Sequence, residues 1–586
     1  LMETKEFNLQ DEPWIWCTLN GEPKELSLKD VFKMSQNIGE ITDISPMVTI
    51  SIYRFLLAIM YSAFREEKRW PGKHEIWSVD DWKNIHADPG GATKQILAYL
   101  ETVHERMWLF HPECPFYQKP DLKLKESKDP EDGKMPIGKM RMYAANSSQG
   151  TLFDHTVESD SSSTKPVYPD EAARLLLAFQ NFDIGGRITP EIHNDGKESA
   201  ATSDSFLRGK AINFWHRESL FQTLTLNLIP LNELDALSKL GYPAKNSSDR
   251  PSFEVDPDCF WKKQGCRQES EKNDFVYVKN VEGIIDYLTW QNRKIKLFKG
   301  ESNNVTAFAR TKGLVLPKNK NILDPYIIYE YKEEKKTNDK DNGESQVKKN
   351  NLGGWKSKIR LDPEKQVWRS LDVLLARTIP SKHDFLPALT TKFLSETYSK
   401  EISTGKIKLS LFCHYQETQQ RIKDWSQQTF PIPATYMKNE SFADGIEIVL
   451  NMAERISWGL KSSSQTIMKE LRVRETKEKK KPRVQIDLEA DFWPLLQIPF
   501  ARFVNDLGQY DEDAFWDDAS QLKIREIFSN WQNTIISLAR DVFNRATTKI
   551  RFNASGINAI IKGQQVLERS IDKLKSKYEI DNGGEQ

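Results

Sequence analysis

The chain repeats apolar residues at helical spacing in four stretches after about residue 436, and this repetition constrains the fold more than any other feature of its 586 residues. The last stretch follows alternating steps of three and four through Ile557, Ile560, Gln564, Leu567, Ile571, Leu574 and Tyr578. Such a seam is typical of helices that pack along their length. Because one helix cannot bury this stripe alone, we expect a C-terminal four-helix bundle over residues 431–586.

The other three bundle helices are indicated by similar patterns. One face of the first helix carries Ile446, Val449, Ala453, Ile456 and Leu460. The second helix is expected at about 490–507 and the third at about 513–544. Pro499 lacks the backbone N–H that a helix interior uses, so we expect it to kink or divide the second helix.

The first 430 residues mix short strand patterns with buried helices. Asn20-Gly21 between two apolar runs predicts a hairpin turn, and Ser27 can cap the helix that follows. Residues 46–64 are mostly apolar and indicate a buried helix. We therefore predict an α+β fold, with a large mixed N-terminal domain over residues 1–430 followed by the bundle. The mostly polar stretch at about 331–360 predicts a disordered or flexible insertion.

Composition narrows the class of protein. Lys plus Arg and Asp plus Glu each number 84, so the formal net charge is zero. A uniform positive field for nucleic-acid binding is excluded, although small basic patches remain possible. Five cysteines without a Cys-x-x-Cys pair fit a reducing compartment, and no apolar run reaches the roughly 18 residues of a spanning helix. We expect a soluble cytoplasmic protein with no membrane partner.

Motifs for catalysis are scarce. The sequence contains neither a Gly-x-x-x-x-Gly-Lys-Ser/Thr phosphate loop nor a His-Glu-x-x-His zinc motif. His383-Asp384 is the core dipeptide of one class of metal-dependent phosphohydrolases, but such sites need further His and Asp ligands, and no convincing set accompanies it. We expect no catalytic residue, no metal and no cofactor. A metal-dependent nuclease using His383 and Asp384 is the alternative, and a purely structural scaffold is another.

A polar loop at 146–155 contains the apolar residues Leu152 and Phe153, which indicates that the loop docks onto another surface. A helical pattern beginning at Asp170 follows it and stops on Gly185-Gly186. Glycines without a Cβ allow the backbone to approach another surface closely. The alternative interpretation is a loop packed on its own domain, with the glycines as a helix C-cap.

Residues 407–425 alternate apolar and polar side chains on both sides of an amide-rich turn, and this predicts a β-hairpin. Gln and Thr side chains donate and accept hydrogen bonds without charge, which suits them to probe base edges. A plain polar hairpin tip is the alternative.

Upstream, Leu288 and Trp290 are expected to anchor a core, while Arg293, Lys294 and Lys296 are expected to face outward.

These segments, in this order, resemble the large (CasA) subunits of the type I-E CRISPR surveillance complex, Cascade. The opening strand Phe7 to Trp16 and the Pro-rich segment 109–118 are similar too, so that the resemblance covers most of the chain apart from 331–360. It implies a non-catalytic subunit. Its implied partners are the other Cascade subunits, guide RNA, double-stranded target DNA and an effector helicase-nuclease.

In that family a hairpin at this position reads the PAM, a short motif beside the target, from the minor groove. One glutamine acts as a wedge that starts strand separation. Anchored on Trp425, the resemblance assigns the wedge to Gln419, flanked by Thr418 and Gln420. The family often has Asp or Asn before the wedge and Ala after it, so the PAM preference of this chain stays open. Counting from Trp290, the minor-groove lysine of the family falls on Lys299.

The resemblance also assigns roles to the docking loop and to the glycines. A nearby glycine loop touches target DNA in the family, which corresponds to Gly185 and Gly186 here. The docking loop inserts among the other subunits near the guide RNA, and the matching residues are Phe153, His155 and Asn146.

Overall fold

The computed structural model describes residues 5–65, 74–124, 133–141, 166–192, 198–244, 246–255, 267–269, 275–300, 304–317, 322–331, 355–359, 366–376, 385–397, 406–417, 421–437, 440–471, 486–510 and 517–578. They fall into two compact units. The first unit lies within Leu1–Pro363, Arg377–Thr397 and Lys408–Phe430. The second lies within Glu364–Ala376, Tyr398–Ile407 and Pro431–Gln586, so it also takes in segments that precede the bundle.

The described α-helices are α1 (Leu28–Lys33), α2 (Pro46–Phe64), α3 (Val79–Ala87), α4 (Pro89–Thr102), α5 (Pro169–Phe182), α6 (Leu220–Leu226), α7 (Leu231–Ala236), α8 (Ile284–Leu288), α9 (Leu371–Leu374), α10 (Leu389–Thr397), α11 (Glu440–Glu470), α12 (Leu488–Leu507), α13 (Asp518–Thr547) and α14 (Ala554–Lys577). Short 3-10 helices cover His104–Arg106, Ile137–Met140, Ser238–Leu240, Val367–Ser370 and Ala434–Met437.

The described strands are β1 (Glu6–Asn8), β2 (Ile15–Leu19), β3 (Glu22–Leu26), β4 (Ile38–Ile41), β5 (Trp108–Phe110), β6 (Met135–Pro136), β7 (Gly186–Ile192), β8 (Glu198–Thr202), β9 (Ile212–His216), β10 (Arg267–Glu269), β11 (Phe275–Val278), β12 (Arg293–Lys299), β13 (Val305–Lys312), β14 (Leu314–Val315), β15 (Tyr329–Tyr331), β16 (Trp355–Ser357), β17 (Phe385–Leu386), β18 (Lys406–Glu417) and β19 (Arg421–Pro433). They form small sheets with the strand orders β1-β5, β3-β2-β4, β12-β13-β6, β7-β8, β10-β11-β14, β16-β15-β17 and β19-β18-β9. The predicted mixture of helices and sheets, followed by a helical C-terminal region, is confirmed.

The N-terminal hairpin forms as its turn residues predict. Asn20 and Gly21 have φ of 52° and 89°, which the tight turn between β2 and β3 requires. The Ser27 hydroxyl then accepts a hydrogen bond of 3.2 Å from the backbone N–H of Asp30 and caps α1.

The core of the first unit is built around α2, which is buried along nearly its whole length. The expectation that no apolar run is long enough to span a membrane is wrong, because Pro46–Ala63 is long and apolar enough. However, 94% of this stretch is buried inside the protein, which is the pattern of a core helix. Within it, the buried Arg54 pairs with Asp324 at 2.8 Å, so this charge is neutralised inside the core.

In the second unit, α11 packs closely along α14, and small residues allow the approach. A Cβ on Gly563 would lie 2.6 Å from Cγ1 of Ile467. Next to it, the Ser463 hydroxyl donates a 2.8 Å hydrogen bond to the carbonyl oxygen of Gly563.

The predicted apolar seam of α14 is correct only in its second half. The buried residues of α14 are Gly556, Ala559, Gly563, Leu567, Ile571 and Leu574, while Gln564 is exposed.

The prediction that Pro499 divides the second bundle helix is wrong. α12 runs from Leu488 to Leu507 through both Pro494 and Pro499. Phe500 on this helix is buried and packs against Trp531 of α13, with ring centroids 5.9 Å apart. Tertiary packing of the apolar face thus outweighs the hydrogen bonds that the prolines remove.

The predicted polar insertion is too wide at both ends. Tyr331 ends strand β15, and β16 pairs with that strand in antiparallel register. The Tyr331 and Trp355 rings are in edge contact, with centroids 5.4 Å apart, and this aromatic pair stabilises the ladder. Residues 332–354 lie outside the described residues.

Candidate nucleic-acid interface

The predicted amide-tipped hairpin consists of β18 and β19, which are rooted in the first unit. β18 pairs antiparallel with the fully buried strand β9, from Lys408 opposite His216 to Phe412 opposite Ile212. Across the hairpin, the Ser410 and Thr429 hydroxyls are 2.7 Å apart. The residues that join the strands, Thr418, Gln419 and Gln420, lie outside the described residues. The hairpin therefore has a firmly packed base.

His414 ties the hairpin to a neighbouring loop. Its Nε2 accepts a 2.8 Å hydrogen bond from the backbone N–H of Gly209. Burial, together with the smaller effect of the nearby positive charge of Arg208, lowers the pKa of His414 to about 4. The ring is thus neutral at physiological pH, with its Nε2 free to accept this bond.

The glycine pair does not end α5, which stops at Phe182. A Cβ on Gly185 would lie 2.7 Å from the backbone nitrogen of Asp204, so glycine is needed for the chain to pass there. Gly186 has a φ of 121° and begins strand β7. The interpretation as a helix C-cap is therefore wrong. Both glycines are instead required by the path of the backbone where the chain enters β7, which pairs with β8.

An arginine cluster holds this glycine segment. Asp183 accepts a hydrogen bond of 2.5 Å from Nε of Arg293 and another from Arg310. Arg293 also donates to the hydroxyl of Thr202 at 3.0 Å and to the carbonyl of Ser203 at 2.8 Å. Burial lowers the pKa of Arg293, and the Asp183 carboxylate opposes this shift by stabilising the charged guanidinium. The guanidinium thereby clamps both backbone segments that flank Gly185.

The expectation that Arg293 and Lys294 face outward is wrong, since each is only 1% exposed. Arg293 is buried because Asp183 neutralises it, and Nζ of Lys294 lies 3.9 Å from the centroid of the Tyr277 ring. Lys296 is partly buried and donates to the carbonyl of Pro120 at 2.7 Å. Sequence spacing does not reveal these partners because they come from distant segments.

The loop between β8 and β9 connects the glycine segment with the hairpin. The Asp204 carboxylate accepts a 2.7 Å hydrogen bond from the N–H of Gly185 and lies 3.6 Å from Nε of Arg208. The next residue, Gly209, donates to His414 on β18. Hydrogen bonds and one ion pair therefore connect the segment of Gly185 and Gly186 to the packed part of the β18–β19 hairpin. Sequence reasoning missed Asp183, Arg208, Arg310 and His414 as members of this region.

Lys299 lies elsewhere. It ends β12, while Arg293 begins that strand, so the two are about 20 Å apart along the backbone. Its Nζ is 3.0 Å from a carboxylate oxygen of Glu6 and 5.0 Å from the centroid of the Phe110 ring. The structure thus does not bring Lys299 together with the glycine segment.

The docking-loop residues Asn146, Phe153 and His155 lie outside the described residues, as do His383 and Asp384. Among the residues that the structure does describe, no group of three or more His, Cys, Asp or Glu side chains could hold a metal ion.

Comparison with known proteins assigns a family to this fold. The family model of CRISPR-associated protein Cse1 matches residues 8–542. The CasA/Cse1 protein of Thermus thermophilus is 25% identical over 579 residues, covering 97% of this chain and 98% of that protein. The crystal structure of Thermobifida fusca Cse1 matches at 18% identity with a TM-score of 0.74, covering 98% and 99% of the two chains. Acidimicrobium ferrooxidans Cse1 matches at 18% identity with a TM-score of 0.73 and the same coverages. A chain of a solved CRISPR RNA-guided surveillance complex matches at 16% identity with a TM-score of 0.64, covering 97% and 99%. The chain therefore belongs to the family of CRISPR-associated protein Cse1, the CasA large subunit of Cascade.

Proposed function

We propose that this chain is the non-catalytic large subunit of a type I-E RNA-guided surveillance complex. It recognises the PAM in double-stranded target DNA through the minor groove, starts strand separation with Gln419 and helps to recruit the effector helicase-nuclease. Membership of the Cse1 family and the match to a chain of a surveillance complex support the assembly. Its other partners are the remaining Cascade subunits and guide RNA, and it works in the cytoplasm.

The observation that carries this proposal is the rooted hairpin. Opening one base-pair step of DNA costs a few kcal/mol. A wedge residue must therefore sit on a rigid part of the protein. The strand β18 that leads to the tip is buried from Leu409 to His414 and pairs with the buried strand β9. A hairpin tip that is supported by packed strands can use binding energy to unstack base pairs, which a mobile loop cannot do.

The glycine segment supports the same proposal from the side of the DNA backbone. Gly186 is partly exposed and carries no side chain that would hold a phosphate away, whereas the buried Gly185 allows the chain to pass beside Asp204. Arg310 is partly exposed beside Ile184, whose carbonyl it binds at 3.1 Å. Backbone N–H groups and arginines are the usual partners of phosphate oxygens. We propose that this segment positions the duplex while the hairpin tip enters the groove.

Thr418 and Gln420 flank the wedge, and we propose that they make permissive contacts, because the minor groove distinguishes mainly A·T from G·C. Lys299 is the proposed minor-groove cation. Its insertion into DNA would require it to leave Glu6, which its Nζ approaches to 3.0 Å. Because that pair is partly exposed, the exchange costs at most about 1 kcal/mol. The substitution Lys299→Ala should therefore weaken duplex binding and lower its salt dependence.

The docking residues Phe153, His155 and Asn146 are proposed to insert among the other subunits near the guide RNA. An apolar anchor in a polar loop gains its energy by burial in a partner. Phe153→Ala should therefore reduce incorporation of the chain into the complex, measured by size-exclusion chromatography of the assembled particle. Incorporation equal to wild type would reject this docking role.

The test of the wedge separates opening from assembly. Complexes are assembled with Gln419→Ala or with Gln427→Ala, a matched control because Gln427 is an exposed glutamine on the same hairpin. Base unpairing next to the PAM is followed with a fluorescent base analogue. We expect Gln419→Ala to assemble normally and to slow opening at least about tenfold, since a loss of 1.4 kcal/mol corresponds to that factor. If both variants open targets like wild type, the proposal is wrong.

A further inference from the structure

The turn between α13 and α14 is an acid-free, basic segment at one end of the bundle. No Asp or Glu occurs between Asp541 and Glu568, although the whole chain has equal numbers of acidic and basic residues. Within this interval Lys562 pairs with Glu470 at 2.9 Å. Arg545, Lys549 and Arg551 are exposed, and none of the three forms an ion pair with another described residue. The turn therefore presents an excess of positive charge.

Phe552 lies in the middle of this turn and is 89% exposed. The backbone around it is well ordered by hydrogen bonds: the N–H of Ile550 donates to the carbonyl of Thr547 at 3.0 Å, and that of Asn553 to the carbonyl of Arg551 at 2.9 Å. A Cβ on Gly556 would collide with the carbonyl oxygen of Arg551, so the turn is also tight. The phenyl ring is thus held in solvent by the fold. The ring is therefore available for stacking, and it lies among the exposed cations of the same turn.

We infer that this turn binds single-stranded DNA, with phosphates on Arg545, Lys549 and Arg551 and a base stacked on Phe552. Aromatic rings with neighbouring cations are the common elements of sequence-tolerant binding to single strands. A duplex keeps its base faces stacked internally and offers none to the ring. The excess of positive charge complements a phosphate backbone, and a protein partner is the alternative that the test below separates.

Two neutral polar side chains stabilise the turn. The Thr548 hydroxyl donates to the carbonyl of Arg545 at 2.7 Å, and the Asn553 side-chain oxygen accepts from the N–H of Gly556 at 2.8 Å. These two bonds hold the shape of the turn, and the choice between DNA and RNA is tested below with oligouridylate. This contact lies in the second unit and does not depend on the hairpin proposed to open the duplex.

The test uses the full chain and a fluorescein-labelled oligothymidylate, with anisotropy measured over a range of salt concentrations. We expect Phe552→Ala to weaken binding about tenfold, because stacking contributes roughly 5- to 150-fold per base, and Phe552→Trp to restore it. Replacing Arg545, Lys549 and Arg551 by Gln should reduce the slope of log K against log salt by about two, at roughly 0.7 per phosphate contact. Oligouridylate should bind no better than oligothymidylate.

The matched control lies near the N-terminal end of α13. Leu522 is 64% exposed there beside the cations Lys523 and Arg525, with acidic residues close in sequence. Leu522→Ala and the Lys523→Gln, Arg525→Gln double variant should leave the affinity unchanged.

Equal affinity of Phe552→Ala and wild type would overturn the inference. So would loss of incorporation into the complex with unchanged DNA binding, which would make the turn a protein contact. Gln419→Ala should bind the oligonucleotide like wild type, so failure of the wedge proposal is distinguishable from failure here.

Discussion

Asp183 offers the most direct perturbation of the region that links the glycines to the hairpin. Its carboxylate is 5% exposed and accepts hydrogen bonds from both Arg293 and Arg310. Asp183→Ala removes the carboxylate that accepts hydrogen bonds from both arginines and leaves two guanidinium groups facing each other. Removing one partner of a buried ion pair costs about 3–5 kcal/mol, because the remaining charge stays out of water without compensation.

Urea unfolding of the chain measures this cost. We expect Asp183→Ala to lose about 3–5 kcal/mol and Asp183→Asn to lose less, since Asn retains an acceptor oxygen. The control is Glu396→Gln, which breaks the i,i+4 pair with Lys392 that is 2.7 Å long and 54% exposed at the glutamate. That exposed pair contributes only about 0.5 kcal/mol.

A functional readout accompanies the stability measurement. Because Arg293 and Asp183 clamp the backbone on both sides of Gly185, Asp183→Asn should reduce target opening by the assembled complex more than its loss of stability explains at a temperature where it stays folded. A loss below about 1 kcal/mol for Asp183→Ala would refute the reasoning, because it would mean that the two arginines find water or other partners without cost.

Three further outcomes are expected. Gly563→Val should destabilise the bundle by about 1–3 kcal/mol in urea unfolding, because its side chain would overlap Ile467, whereas Gly563→Ala should cost less. His414 has a folded pKa of about 4, below the unfolded value near 6.5, so its stabilisation is complete above about pH 6.5 and is lost as the pH falls towards 4. Unfolding at pH 7.5 and 4.5 should therefore show a smaller pH-dependent loss for His414→Gln than for wild type, by up to about 3 kcal/mol. Purified chain with Mg²⁺ or Mn²⁺ should not cleave DNA, and His383→Ala or Asp384→Ala should change nothing; cleavage that these variants abolish would establish the nuclease alternative.

Local patterns predicted local structure well. The Asn20-Gly21 turn, the Ser27 cap and the buried helix at 46–64 all depend on interactions within a few residues or on one strong apolar pattern, and all three are confirmed. The strands of the amide-tipped hairpin were predictable for the same reason, because alternation of apolar and polar residues is a local pattern of β-strands.

Interactions between distant segments were not predictable. Arg293 appeared to be a surface cation because its partner Asp183 lies 110 residues away in the sequence. The bundle seam shifted by one position in the first half of α14, because the close approach of α11 selects the small residues Ala559 and Gly563 over larger neighbours. Helical periodicity reveals a stripe of large apolar residues, but it does not reveal a contact face made of small residues such as Gly and Ala.

The prolines of α12 illustrate a third limit. Pro499 removes a backbone hydrogen bond, which favours a break in an isolated helix. In the folded chain, Phe500 and its neighbours are buried against α13, and this packing keeps the helix continuous. Local propensity and tertiary packing differ here, and tertiary packing prevails.

Gln419 is proposed to start separation of the target strands, and a target that is already open tests this role most directly. Two duplexes are compared with the assembled complex: a fully paired target, and one with mismatched base pairs next to the PAM, which removes the few kcal/mol of unstacking. We expect the complex with Gln419→Ala to bind the paired target far more weakly than wild type does and to bind the mismatched target equally well. An equal defect on both targets would contradict it, because Gln419 would then contribute to binding and not to opening.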